Sequence, residues 1–165
     1  LNFPVNQVGR IPSIDSVNAV KWYQKLQKDF ANDLMKSCKV TASDTRGWRF
    51  KAKHVLCDEY THYWATHDGM QQAELIFEFP QTTAFNRLLL QEYIPLGQNV
   101  DAFYLDYYFN GKWLPIETNE PTTTIGYKRL LRFQTVKADK LRIRFKVFKG
   151  TLCINRVGAF MVENN

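Results

Sequence analysis

Apolar and polar residues change their spacing once along this chain, near Ser37, and the new spacing persists to the end. Upstream of that point Val17, Val20, Leu26 and Phe30 recur at intervals near 3.6, and Trp22 or Tyr23 fills the gap. Lys21, Lys25 and Lys28 lie on the opposite side. The pattern predicts an amphipathic helix over about 14–35, capped by a side-chain oxygen of Ser13 or Asp15, with an apolar stripe that must lie against something. Pro4, Gly9 and Pro12 keep residues 1–12 irregular.

Beyond Ser37 the period is two. Leu75, Phe77 and Phe79 alternate with Glu74 and Glu78, and Pro80 is expected to stop that strand. Residues 85–90 form a more continuous apolar run. Phe103, Leu105, Tyr107 and Phe109 share one side of the next strand. Asn110-Gly111 then predicts a two-residue hairpin, because both residues tolerate positive φ, with Lys112-Trp113-Leu114 returning. Leu141, Ile143, Phe145 and Val147 point inward against Lys140, Arg142, Arg144 and Lys146, and a last strand covers about 151–161. Short strands with no second helix predict a β-sandwich or barrel, with a boundary near Ser37. The lone helix is expected to belong to a neighbouring domain.

With 165 residues, 45% of them hydrophobic, the chain can bury a core, and 12 Phe and 8 Tyr suit pleated faces. Cys38, Cys57 and Cys153 form neither a disulfide framework nor a zinc pattern and are expected to be small buried hydrophobes. No apolar run is long enough to span a membrane. His54, His62 and His67 are spaced like surface or turn histidines rather than zinc ligands. No nucleophile elbow, P-loop or dinucleotide loop occurs. The net charge of +6 and the stripe Arg142, Arg144, Lys146, with Arg132, raise nucleic-acid binding as a rival. Alternating cations outside an apolar strand are nevertheless what any solvated sheet face shows, so no nucleic-acid partner is expected.

Two regions carry a family resemblance. Residues 1–11, Leu-Asn-Phe-Pro-Val-Asn-Gln-Val-Gly-Arg-Ile, resemble the segment that closes the catalytic barrel of family 29 α-L-fucosidases. Tyr63-Trp64-Ala65-Thr66, the block 85–98 and the block 124–133 resemble, in order, the C-terminal domain of bacterial members. That resemblance implies two parts. Residues 1–37 would be the tail of the catalytic (β/α) barrel, and residues 38–165 a galactose-binding-like jelly-roll β-sandwich of the coagulation factor 5/8 type C class. It also implies a parent that releases terminal α-linked fucose with retention, which needs two carboxylates roughly 5 Å apart. In the family both lie upstream of this segment, so no catalytic residue is expected here. The expected compartment is secreted or periplasmic.

Sandwiches of this class often hold a structural calcium. Here the pattern resembling that site carries Cys57, His62 and Arg156 at positions that should supply oxygen, so no calcium and no other cofactor is expected. Arg156 is expected to pair with Asp58 or Glu59 instead. Loops offering a ring together with fixed polar groups are the candidate carbohydrate-binding or interdomain sites: Glu92, Tyr93 and Gln98 in one, Tyr127, Lys128 and Arg129 in the other. The expected partners are the missing barrel and fucosylated or galactosylated glycans. A stand-alone sugar-binding module and a pure scaffold remain the alternatives.

Overall fold

The computed structural model describes residues 4–148 and 150–163, the side chains of Val147 and Phe148 excepted. The inward placement expected for Val147 and the opening Leu1-Asn2-Phe3 therefore lie outside the described residues. One helix, α1 (Ser13–Asp29), precedes seven strands: β1 (Lys39–Ala42), β2 (Trp64–Ala65), β3 (Ala73–Glu92), β4 (Val100–Phe109), β5 (Lys112–Pro115), β6 (Arg129–Phe148) and β7 (Cys153–Phe160). All pairings are antiparallel, in the order β2-β7-β3-β6-β4-β5, with β1 added on β3.

The two 20-residue strands make the sandwich. The first half of β3 pairs with β1 and with the second half of β6, which also pairs with β4. The second half of β3 pairs with the first half of β6 and with β7. The register between β3 and β6 slips from Glu78 to Thr83, and both strands pass there from one layer to the other. Pro80 lies inside this slip. It does not end the strand, as the sequence suggested, because a residue without an N–H is tolerated where the ladder is already interrupted. Thr82 Oγ1 donates to Asp139 across the bend at 2.5 Å.

The alternation is visible in the burial. Leu75, Phe77, Phe103, Leu141, Ile143 and Phe145 are fully buried from one layer, and Phe85, Leu88, Leu90, Leu131, Val157 and Ala159 are buried from the other. Trp64 meets Phe145 across the layers with ring centroids 6.0 Å apart, and its indole N–H donates to Asp44 O at 2.9 Å. A buried indole keeps a partner for its one donor, so this ring can fill the core without an orphaned N–H.

At the hairpin, Asn110 has φ 50° and Gly111 φ 79°, with Phe109 opposite Lys112, as expected. Gly111→Ala forces a Cβ into the left-handed region and is expected to cost about 1 kcal/mol in urea denaturation. Asn110→Gly should be nearly neutral.

α1 differs from expectation at both ends. Pro12 occupies the cap position, with no side-chain cap, and it is Ser16 Oγ that reaches back to Pro12 O at 3.3 Å. The helix stops at Asp29 rather than near residue 35. Phe30 leaves the helix axis to meet Phe160 edge-on at 4.9 Å, and Asp33 is drawn into the sandwich, where it caps a 3-10 turn at Leu34–Ser37. No residue of the helix is buried: Ile14, Val17, Val20, Trp22 and Tyr23 are each at least half exposed. Among the described residues no helix is long and apolar enough to cross a membrane.

Candidate functional site

One end of the sandwich gathers four segments: the end of β3 with residues 93–99, residues 124–128 leading into β6, residues 58–64 leading into β2, and residues 150–152 leading into β7. The strand pairing puts them together, since β3, β6 and β7 are hydrogen-bonded neighbours and β2 pairs with the start of β7.

Glu92 holds this end. It is the last residue of β3, not part of the loop, and it is 1% exposed. Its Oε1 accepts from the backbone N–H groups of Asn99 at 2.7 Å and Val100 at 3.0 Å, and its Oε2 accepts from Gly126 N–H at 2.7 Å. Its own N–H donates to Gly126 O at 2.9 Å. Burial raises its pKa above the ordinary carboxylate value, against the pull of the three donors. Gly126, at φ 68°, is pressed against Gln98: an added Cβ would meet Gln98 Oε1 at 3.2 Å. Gln91 Nε2 donates to Tyr127 O at 3.0 Å, and Asn99 Nδ2 donates to Thr151 O at 2.9 Å.

On this frame stands a row of rings. Phe50 meets Tyr63 at 5.1 Å, and Tyr63 stacks on Tyr93 at 4.2 Å and 10°. Tyr93 meets Tyr60 at 5.6 Å, and Tyr60 meets Tyr127 at 6.4 Å. Tyr127 is 62% exposed, the most open ring of the row. A cleft of about 230 Å³ opens beside Tyr63, bounded by Arg46, Phe50, Leu96, Asn99 and Thr151. Arg46 is fixed there by Asp68 at 2.8 Å, and Asp68 accepts from Thr151 Oγ1 at 2.5 Å.

Of the six residues nominated from sequence, Tyr93 and Tyr127 share the ring row. Glu92 lies beneath it as a brace, and exposed Gln98 packs over Gly126. Arg129 is directed elsewhere and donates to Pro121 O at 2.6 Å, while Lys128 is exposed. Sequence reasoning missed Phe50, Tyr60 and Tyr63 as partners. The only available signal was the concentration of rings and cations in the irregular stretch 46–63.

The stretch resembling a calcium site does not suit a cation. Arg156, 8% exposed, donates from Nη1 to Leu56 O at 3.0 Å and from Nη2 to Asp58 Oδ1 at 3.0 Å and to Asp33. A guanidinium already occupies the centre where those oxygens converge. The Asp58 pairing is one of the two expected; Asp33, not Glu59, is its second acid. Asp33 also accepts from Met35 N–H at 2.9 Å and Ala159 N–H at 3.2 Å. His62 pairs with Glu59 at 2.9 Å and its ring stacks on His54 at 5.1 Å, while His67 meets Asp44 at 3.0 Å.

Cys38 and Cys153 are buried, with burial pushing their thiols up to about 12 and about 11, so both stay protonated. Cys57 is only half-buried, unlike the expectation, because it ends a 3-10 turn at the surface. The basic stripe is partly neutralised. Asp106, 6% exposed, accepts from Arg142 Nε at 3.1 Å and from Arg144 Nε and Nη2 at 2.7 and 3.1 Å, and Arg132 pairs with Glu120 at 2.5 Å.

No family model matches the chain. It is 31% identical over 164 residues to a rice (Oryza sativa subsp. japonica) protein assigned as alpha-L-fucosidase 1, covering 97% of this chain and 31% of that one. A crystal structure of a Bacteroides thetaiotaomicron protein assigned as an alpha-L-fucosidase superposes with a TM-score of 0.90 at 31% identity, over 98% of this chain and 35% of that one. A Ruminococcus gnavus GH29 fucosidase solved with fucose gives 0.85 at 24% identity, over 99% and 33%. A family 32 carbohydrate-binding module of Clostridium perfringens, solved with GalNAc-β-1,3-galactose, shares the fold alone: TM-score 0.66, 15% identity, 78% of this chain and 99% of the module. The chain thus spans about a third of the fucosidases it matches. Its homologues are α-L-fucosidases, and it matches a part of their length.

Proposed function

We propose that this chain is the non-catalytic C-terminal accessory part of an α-L-fucosidase that releases terminal α-linked fucose from glycans. Residues 1–37 are the tail of its catalytic barrel, and residues 38–165 are a sandwich that packs on that barrel. The observation carrying this reading is α1: Ile14, Val17, Val20, Trp22 and Tyr23, spread around the helix, stay open to solvent in a chain that spans about a third of its relatives' length. Exposed apolar side chains in that number mark a surface that another element covers, and the rest of the polypeptide is the occupant in continuity with it. Five of the acids are committed to structure. Glu92 braces loops, Asp33 holds Arg156, Asp106 holds two arginines, Glu120 holds Arg132, and Glu78 pairs with Lys140 at 3.5 Å. None of these is poised for bond cleavage at a sugar. Secretion or periplasmic location accompanies the reading, since glycans are met there.

The test is Val20→Asp with Trp22→Asp. In the full-length protein the pair should lower the melting temperature and fucosidase activity together. In the 165-residue chain it should leave the melting temperature of the sandwich unchanged. An unaffected full-length enzyme would overturn the docking.

A second reading, sugar binding, is favoured by the ring row. Open tyrosine faces beside fixed amide and guanidinium groups suit the C–H faces and hydroxyls of a pyranose. Calorimetric titration with galactose, fucose and fucosylated trisaccharides should give weak binding that Tyr127→Ala reduces at least fivefold. No heat at millimolar sugar favours the pure scaffold.

A further inference from the structure

A second groove lies on the outer face of the layer formed by β1, β4, β5 and the bent halves of β3 and β6, away from the ring row. Its volume is about 530 Å³, within the range that holds a mono- or disaccharide. Six side chains give it character: Ser43, Gln72, Glu74, Tyr104, Arg144 and Lys146.

The central group is Arg144. Asp106 grips its Nε and Nη2 in a two-point contact, and Asp106 is itself buried. The guanidinium is therefore fixed before any ligand arrives, and its Nη1 has no partner among the described residues. Tyr104, 42% exposed, has the guanidinium carbon over one face of its ring at 5.6 Å from the centroid, which leaves its other face for a ligand. Arg142 draws on the same carboxylate and stacks over Trp113 at 4.4 Å. Two guanidiniums thus share one buried carboxylate, and with Lys146 and Glu74 included the groove keeps one net positive charge. Lys146 adds a second cation at the groove. Glu74 lies directly across the strand pair from Arg144, and with Gln72 it offers acceptors on the opposite wall.

The geometry points to a binding site for an acidic sugar unit, one bearing a carboxylate or a sulfate. The anionic group meets Arg144 and Lys146, the pyranose C–H face lies on Tyr104, and Glu74 and Gln72 take hydroxyls. A planar, pre-fixed guanidinium is the group that recognises a carboxylate or sulfate with direction as well as charge. Glu74 sets the orientation, because it repels the anionic end and accepts from the hydroxyl end. The site stands independently of the docking and ring-row readings.

The test is a titration of the isotope-labelled chain, followed by amide shifts, with methyl glucuronide, galactose 6-sulfate, galactose and inorganic sulfate. Shifts at Gln72, Tyr104 and Arg144 with either acidic sugar, at least fivefold weaker for galactose and for inorganic sulfate, are expected. Comparison of the two acidic sugars distinguishes the carboxylate from the sulfate. Tyr104→Ala and Lys146→Ala, both at exposed positions, should each weaken the acidic sugar at least threefold and leave any galactose response at Tyr127 unchanged. Equal response to galactose, equal response to inorganic sulfate, or no shift at these three residues overturns the proposal.

Discussion

Arg156→Met should lower the unfolding free energy by about 3–5 kcal/mol, among the largest effects of any single side chain here. The loss comes less from the pair than from what it abandons. Asp33 has a side chain only 5% exposed, and without Arg156 its charge keeps two backbone N–H donors but no counter-ion. Asp58 contributes little, being 68% exposed at its side chain and screened by water. Asp33→Asn added to Arg156→Met should recover part of the loss, because the buried charge is gone. Urea denaturation of the two single variants and the double variant gives the coupling directly. A simple sum of the single effects would mean that the ion pair ties nothing together. The pair is 123 residues apart in sequence, so it joins the segment after α1 to the last strand of the sandwich.

Glu92→Ala should cost about 2–4 kcal/mol, since the Val100 and Gly126 N–H groups are buried and lose their acceptor. Glu92→Gln is not a conservative repair: its amide NH₂ would face a donor at either Gly126 or the Asn99–Val100 pair. The pH dependence separates charge from shape. The folded-state pKa of Glu92 is raised by burial, so the folded protein binds its proton more tightly than the unfolded chain does. Its contribution is therefore fully present below the ordinary carboxylate value and is lost as pH rises through the folded value. Asp44, Asp68 and Glu120, whose carboxyls are held below the ordinary value, act the other way and lose their contribution as pH falls. The difference in urea midpoint between the native chain and Glu92→Gln, followed upward from pH 4, isolates Glu92. It should shrink as pH rises and then level. A difference that grows instead would mean that the three donors outweigh burial.

The alternation of Leu75, Phe77 and Phe79, and of Leu141, Ile143 and Phe145, made the inner faces of the layers readable, because a period of two reports which side of a strand is dry. Asn110-Gly111 fixed its turn for an equally local reason. Pro80 misled because its missing N–H matters only if the ladder is continuous there, and ladder continuity is a property of the partner strand. Glu92 looked like a loop acid available to a ligand. Its burial depends on Gly126 and Val100 closing over it, which no local pattern records. The same limit hid Asp33 from Arg156, and Asp106 from Arg142 and Arg144: charge type is visible in sequence, but pairing across strands is not. The ring row is assembled from four segments, and the order of the family-like blocks adds to the crowding of rings in 46–63 only a hint that they converge.

In the proposed division of labour this polypeptide supplies a platform and another part of the protein cleaves the sugar bond. The most direct measurement is the hydrolysis of an aryl α-L-fucoside by the purified 165-residue chain, with the full-length protein run beside it. Turnover by the full-length protein and none by the 165-residue chain is the expected result. Turnover by the 165-residue chain alone, surviving repurification, would contradict it.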